Sequence, residues 1–305
     1  MPTFATPEPV SVTIDLLSGD IRVIASERTD TVVDVRPRDE SSDRDVRVAA
    51  QTKVEFAEGR LTVKSPKPLQ VLFGWWTGTV DVTVQVPVGS QLHGTTADGD
   101  LRCEGRLGDC SLRTYDGDIS VHEAQTVRLT TTDGRITVDR VEGDAHITGS
   151  GDVQVIEVGG GAYVKNLHGP SWLGQVRGDV RVHAAHGDIT IESAGVSEGA
   201  PQRSEERIER AAGRRDGAGP QVVARTAHGS VRLAEVARGS ASLQTASGDV
   251  EIGIRRGSAA WLDVKSSSGH VRNELEPTGD PQGVDDSVQV RARTWDGDIV
   301  IRRAA

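Results

Sequence analysis

The chain has 305 residues, 36% of them hydrophobic, which is enough to build a core in one large domain or two ordinary ones. Its 35 glycines, its 3% aromatic content and its recurrent Val, Ile and Thr favour an all-β fold with many turns. A formal net charge of −10 argues against a nucleic-acid binder, because contacts with phosphate require a basic face.

The N-terminal stretch MPTFATPEPVSV has neither the basic nor the apolar region of a signal peptide. No stretch reaches the roughly 18 apolar residues of a membrane helix. The sequence contains two cysteines and no Asn-x-Ser/Thr sequon. We therefore expect a cytoplasmic protein without membrane insertion.

Residues 1–91 contain the alternating strands VSVTIDLLSGDIRVIA, DTVVDVRP and VDVTVQVPVGSQL, separated by a charged loop, PRDESSDRD. We interpret this region as an N-terminal β cap, because the end of a strand stack exposes unpaired edges that a cap protects. Within it, FGWWTG carries Phe73, Trp75 and Trp76. These side chains either plug the end of the stack, which we favour, or form an exposed interaction patch.

Residues 92–305 repeat one unit: a turn former, Gly, usually Asp, then alternating aliphatics, as in DGDISV at 116 and DGDIVI at 296. The glycines at 99, 117, 134, 151, 169 and 187 are 18, 17, 17, 18 and 18 residues apart. A second alternating strand, such as VRLTT at 127, lies between successive copies. The pattern predicts a parallel β-solenoid of about 17–21-residue two-strand rungs, whose stacking buries one continuous apolar column. A sandwich or barrel is the alternative, but it needs no Gly-Asp corner at this period.

We interpret the repeated Gly-Asp pairs as structural corners, in which Gly adopts a positive φ and Asp accepts backbone N–H groups within the turn. The residues concerned are Gly99, Asp100, Gly117, Asp118, Gly134, Gly151, Asp152, Gly187, Asp188, Gly248, Asp249, Gly297 and Asp298. The alternative is a ladder of bound cations. Arg135, Ser230 and His270 interrupt the Asp column, which disfavours that alternative.

The remaining reactive residue types also have structural interpretations. His183 and His186 have an H-x-x-H spacing, but on a strand this spacing does not place both rings on one side. Cys103 and Cys110 occupy the positions of Val121 and Val127 in the next unit and read as small buried residues. Common catalytic motifs are missing from the sequence. We predict no catalytic residue, no metal and no cofactor.

A charged insertion at about 199–220 follows the sixth repeat. It has almost no apolar face, so we expect an exposed loop or short helix. Its basic side chains are either solvated, which we favour, or offered to an acidic partner: Arg203, Arg207, Arg210, Arg214 and Arg215.

The string of Gly-Asp-aliphatic repeats after VQVPVGSQL at 84–92 resembles the DUF4097 "putative adhesin" family of bacterial β-strand repeat proteins over roughly residues 10–305. The resemblance implies a solenoid of short strands and brings no catalytic residues. We expect a non-enzymatic interaction or assembly scaffold that binds an unknown protein partner or itself. Two alternatives are a surface adhesin exported by an unrecognised route and a carbohydrate-active β-helix enzyme.

Overall fold

The computed structural model describes residues 1–66, 78–195, 219–275 and 287–304. Strands predominate, and the helix α1 (Asp43–Gln51) interrupts them. The strands up to the middle of the chain are β1 (Thr3–Ala5), β2 (Ser11–Asp15), β3 (Ile21–Ser26), β4 (Asp30–Pro37), β5 (Lys53–Ala57), β6 (Arg60–Lys64), β7 (Val80–Pro87), β8 (Gln91–Thr95), β9 (Leu101–Arg113), β10 (Ile119–Thr130), β11 (Ile136–Val141), β12 (Ala145–Gly149) and β13 (Val153–Val158). The later strands are β14 (Ala162–Asn166), β15 (Ser171–Val176), β16 (Val180–Ala184), β17 (Ile189–Ala194), β18 (Gln221–His228), β19 (Val231–Val236), β20 (Gly239–Ser247), β21 (Val250–Ile254), β22 (Ala259–Ser268), β23 (Val271–Asn273), β24 (Ser287–Asp296) and β25 (Ile299–Arg303).

The chain forms two compact units, and the first comprises residues 1–157 with 164–169. Its repeats stack as parallel strands on two faces. On one face, equivalent residues of β3, β9, β10 and β11 are in register: Ile21, Leu101, Ile119 and Ile136. On the other face, the aligned residues come from β2, β8, β9, β10 and β12: Val12, Leu92, Cys110, Val127 and Ala145. Each rung is therefore one strand from each face, which confirms the predicted parallel β-solenoid.

Alternation along the strands places the core inside the rungs. In β10, Ile119 and Val121 are 1% exposed, whereas the intervening Ser120 is only partly covered. Burying one Ile or Val side chain stabilises a fold by about 1.5 to 3 kcal/mol relative to exposure. Because every rung contributes such residues, the apolar column is continuous within the unit.

The first unit also contains the described part of residues 1–91, the region interpreted from the sequence as an N-terminal β cap, and that assignment stays a prediction. β4 pairs antiparallel with both β1 and β7, and β5 pairs antiparallel with β6. Phe4 of β1 stacks on Phe56 of β5 with ring centroids 4.9 Å apart. The charged segment predicted to be a loop instead enters α1, whose N-cap is Ser42, with acidic side chains in the first turn. α1 has no buried residue, so it adds no side chain to the apolar core.

The second unit comprises residues 158–163 with 170–305. On one face β16, β18, β20 and β24 pair in parallel, and on the other β15, β17, β19, β21 and β25 do the same. β24 also pairs with β22, and β25 also pairs with β23. The last two strands of the sequence, β24 and β25, therefore lie between the β20–β21 rung and the β22–β23 rung. SVQVRART and DIVIRR, although last in the sequence, therefore do not form the end rung of this unit.

The first unit shows a similar departure from sequence order. β2 pairs with both β6 and β8, and β3 pairs with both β7 and β9. The earliest rung thus lies between two rungs formed by later residues. No helix of the described part of the chain is both long and apolar enough to cross a membrane.

Candidate functional site

The corner glycines lie against the corner of the neighbouring rung. Gly117 has φ +141°, and a Cβ built on it would lie 2.2 Å from the carbonyl oxygen of Gly99. The same positive φ, between +125° and +144°, occurs at Gly99, Gly134, Gly187, Gly248 and Gly297. Gly151 does not share this positive φ. A Cβ built on it would lie 2.4 Å from the carbonyl oxygen of Gly134, and this close approach alone requires glycine there. Any side chain at these positions would separate the rungs.

The corner carboxylates form hydrogen bonds between rungs, not within one turn as the sequence analysis expected. Oδ1 of Asp100 accepts the backbone N–H of Asp118 at 2.9 Å, and Oδ1 of Asp118 accepts that of Arg135 at 2.7 Å. In the second unit Asp249 accepts from Asp298 at 2.8 Å, and Asp298 accepts from His270 at 2.8 Å. We call this series the corner ladder. It follows the spatial order of the rungs, including the rung placed out of sequence order.

A column of buried hydroxyls supports the same corners and was missed from the sequence. Thr114 is 1% exposed, and its Oγ1 donates toward the carbonyl oxygens of Gly99 at 3.2 Å and Asp116 at 3.0 Å. The signal was a Thr three residues before the corner glycine. It recurs as Thr96, Thr131, Thr226, Thr245 and Thr294.

The residue before each corner glycine forms a second exposed column. The backbone of Asp98 forms a parallel β-bridge with that of Asp116, and the backbone of Asp116 forms one with that of Asp133. In the second unit His186 and His228 occupy this position, with stacked rings 5.1 Å apart and 5° from coplanar. The structure therefore brings His186 to His228. His183 lies instead with its ring 6.4 Å from that of Tyr163.

The acidic corners do not converge on a metal position. Within residues 1–66, 78–195, 219–275 and 287–304, no group of three or more His, Cys, Asp or Glu side chains is arranged to hold a metal ion. One oxygen of each ladder carboxylate is already used by a backbone N–H group. The corner ladder can therefore hold rungs together without any ion.

The two cysteines lie in the core. Cys103 is aligned with Val121 and Cys110 with Val127, and both thiols are free and buried. A hydrogen bond to Cys110, together with burial, raises the pKa of the Cys103 thiol well above its ordinary value. Both residues therefore act as small core side chains, and thiolate chemistry is disfavoured at Cys103.

Two shallow depressions occur on the outer faces of the first unit. In the larger depression, of about 380 Å³, the Thr126 hydroxyl donates a hydrogen bond to the Asp109 carboxylate at 2.7 Å. The smaller, of about 200 Å³, contains Asp20 and Asp81, and Arg38 binds both carboxylates at 2.6 and 2.9 Å. The hydrogen bond to Asp81 and the charge of Asp20 raise the pKa of Arg38. In each depression, acidic side chains are therefore already bound by a hydroxyl or a guanidinium group of the same chain.

The predicted interaction patch lies outside the described residues. This applies to Phe73, Trp75 and Trp76 and to the basic residues of the insertion, Arg203, Arg207, Arg210, Arg214 and Arg215. Within the described residues, the large exposed aromatics are on the outer strand faces and at corners. Tyr115 is 61%, Trp261 64% and Trp295 73% exposed. The sequence analysis did not identify these three residues, because the residue type at their positions varies from one repeat to the next.

Three solved structures are similar to this chain at low sequence identity. A "putative adhesin" from Parabacteroides merdae is 11% identical, with a TM-score of 0.35 over 98% of this chain and 94% of that one. A "putative adhesin" from Bacteroides fragilis is 12% identical, with a TM-score of 0.31 over 98% and 95%. A "putative cell adhesion protein" from Clostridium sporogenes is 9% identical, with a TM-score of 0.24 over 99% and 98%.

No curated protein sequence matches the chain. The model of the family described as Toastrack DUF4097 matches residues 11–302, which is nearly the whole sequence. The match begins at β2 and ends within β25, so it extends over both units. The repeat pattern already resembled this family, and the chain belongs to it.

Proposed function

We propose that this Toastrack-family protein is a non-enzymatic β-solenoid that acts as an interaction or assembly scaffold. The observation that carries the proposal is the corner ladder, in which each rung's carboxylate binds the backbone of the next. Such bonds fix the spacing of outward side chains along each face. A rigid surface of fixed spacing favours recognition of a partner, because little conformational entropy is lost on binding.

The exposed aromatics support the proposal. Tyr115 and Trp295 occupy the same position of the repeat in the first and second units and project outward. Large exposed aromatic side chains are enriched at protein interfaces, where they supply contact area at low entropic cost. They therefore mark surfaces that a partner can cover.

Affinity purification from native extract tests the proposal, with the wild-type chain and the Trp295→Ala and Tyr115→Ala variants as baits. We expect the same partner in independent preparations at a fixed ratio, and a weaker yield with at least one variant. Arg113→Ala, an exposed change on a strand, serves as the control. Recovery of no partner, together with no self-association at any concentration, would contradict a scaffold role. The cytoplasmic location stays a prediction, and cell fractionation tests it.

A further inference from the structure

The rung formed by β22 and β23 is less well covered than the rungs beneath it. Val290 and Ile299 are 2% and 0% exposed, whereas Val271, aligned with Ile299, is 42% exposed. Leu262 and Val264 on β22 are only partly covered, although they continue the same buried column. The apolar column of the second unit thus reaches the surface at this rung.

β22 also offers backbone hydrogen-bonding groups. It is ten residues long and pairs with β24 along one edge. Among the described strands, none pairs with its other edge. An exposed edge of this length readily pairs with another strand, and natural proteins usually cover such edges. The first unit does so, with β5 on β6 and with β4 on β7.

The side chains of β22 are complementary to those of a second β22 running in the opposite direction. Outward positions carry Trp261, Asp263 and Lys265, and inward positions carry Leu262 and Val264. If two copies pair antiparallel about Val264, Asp263 of each copy lies opposite Lys265 of the other. The inward residues then meet inward residues, as the two-residue period of a strand requires.

Other registers are less favourable. Moving the centre by half a residue, which shifts the pairing by one residue, places inward side chains opposite outward ones. Moving the centre by one residue, which shifts the pairing by two, places Asp263 opposite Asp263, or Lys265 opposite Lys265, and like charges directly opposite are destabilising. The charge pattern therefore selects one register, with a two-fold axis through Val264.

The two charged groups are placed for this contact. Asp263 accepts from Arg291 at 3.0 Å and from Arg293 at 3.1 Å, which holds its carboxylate on the outer face. Lys265 has no ion pair with the described residues of its own chain. In the register about Val264, Lys265 lies opposite Asp263 of another copy.

We propose that the protein forms a symmetric dimer in which the β22 edges of two copies pair antiparallel about Val264. This inference rests on the proposed scaffold function and names its partner as a second copy of the chain. The pairing extends the sheet across the two-fold axis and covers Val264 and its neighbours. Each dimer contains the Asp263–Lys265 contact twice.

Charge reversal tests the register. We expect a reversible wild-type dimer in sedimentation equilibrium, and a dissociation constant roughly tenfold higher for Lys265→Glu, because two like-charge contacts replace two ion pairs. Asp263→Lys should dissociate for the same reason. A mixture of the two variants should form a heterodimer with wild-type affinity, because both contacts again join opposite charges. Lys165→Glu, an equivalent change on β14, should leave the wild-type dimer intact.

Cross-linking gives a second test that does not depend on Asp263→Lys folding. In the proposed register Val264→Cys places the two new thiols opposite each other, within the Cα separation of a disulfide. Mild oxidation should give a covalent dimer, whereas Lys265→Cys should not, and Cys103 and Cys110 remain buried. A monomeric wild-type chain, a Lys265→Glu dimer of unchanged affinity, or a dimer without the Val264→Cys cross-link would each overturn the pairing. Recovery of another partner by a monomeric chain would reject the dimer and leave the scaffold function standing.

Discussion

Replacing Gly117 by Ala tests whether the corners hold the rungs at their spacing. Gly117 has φ +141°, and a Cβ there would lie 2.2 Å from the oxygen and 2.6 Å from the carbon of the Gly99 carbonyl. Both atoms belong to backbone and cannot rotate away as a side chain would. The neighbouring rung or the corner itself must shift.

The cost has two parts. An Ala residue at this φ is strained by about 1 to 3 kcal/mol. Forcing an extra methyl group into a packed site costs about 1 to 3 kcal/mol more. We therefore expect Gly117→Ala to lower the free energy of unfolding of the first unit by about 2 to 6 kcal/mol, a large part of the roughly 5 to 15 kcal/mol typical of a domain.

Gly59→Ala is the matched control. Gly59 also has a positive φ, +71°, but no atom lies within 4 Å of a Cβ built there. The control should cost about 1 to 2 kcal/mol, from the left-handed conformation alone. Urea unfolding followed by circular dichroism measures both variants. Equal midpoints for Gly117→Ala and Gly59→Ala would refute the close-approach argument.

Three further predictions concern the corner ladder and the buried hydroxyls beside it. Asp118→Ala should cost about 0.5 to 1.5 kcal/mol in urea unfolding because the N–H of Arg135 loses its acceptor, whereas Asp118→Asn should cost less; equal losses would argue against the bond. Thr114→Val should cost about 1 to 3 kcal/mol because it removes a buried donor to two carbonyls, and Thr114→Ser should recover part of that loss in the same assay. The backbone N–H of His270, followed by the charges of His270 and Arg272, lowers the pKa of Asp298 below 3.8. The stability that ionised Asp298 contributes is therefore fully present above pH 3.8 and is lost as pH falls through the lower folded-state pKa. Asp298→Asn should make the melting temperature depend less on pH in this acid range. An unchanged dependence would exclude the linkage.

The sequence was sufficient to predict the rungs, because a solenoid repeats its constraints. A corner such as Gly117-Asp118 needs a glycine for close approach and an acceptor for the next rung, and strands such as Ile119–Thr130 need alternation. Each requirement is local and recurs at a fixed period. The family match over residues 11–302 agrees with the range of that pattern.

The order of the rungs was harder to predict for a physical reason. β20, β22 and β24 carry the same inward alternation, so each can accept either of the others as its parallel neighbour. Local sequence then does not determine which strand lies between the other two. Helix α1 was missed for a different reason: it is nine residues long and buries no side chain, and an N-cap at Ser42 is by itself a weak signal.

The corner ladder explains why interruptions of the Asp column are tolerated. Ser230 replaces the carboxylate but still accepts the backbone N–H of Asp249 through Oγ, at 3.3 Å. Arg135 supplies no such acceptor, and its guanidinium lies 3.7 Å from the Asp152 carboxylate instead.

An isolated column of carboxylates about 5 Å apart would repel by about 1 kcal/mol per pair in water-like surroundings. Here each ladder carboxylate binds an N–H group, and Arg135 or Ser230 breaks the run of charge. The corner thus satisfies its own backbone and needs no ligand. We therefore propose that recognition falls to residues outside the corner contacts, such as the outward side chains and the β22 edge that no described strand covers.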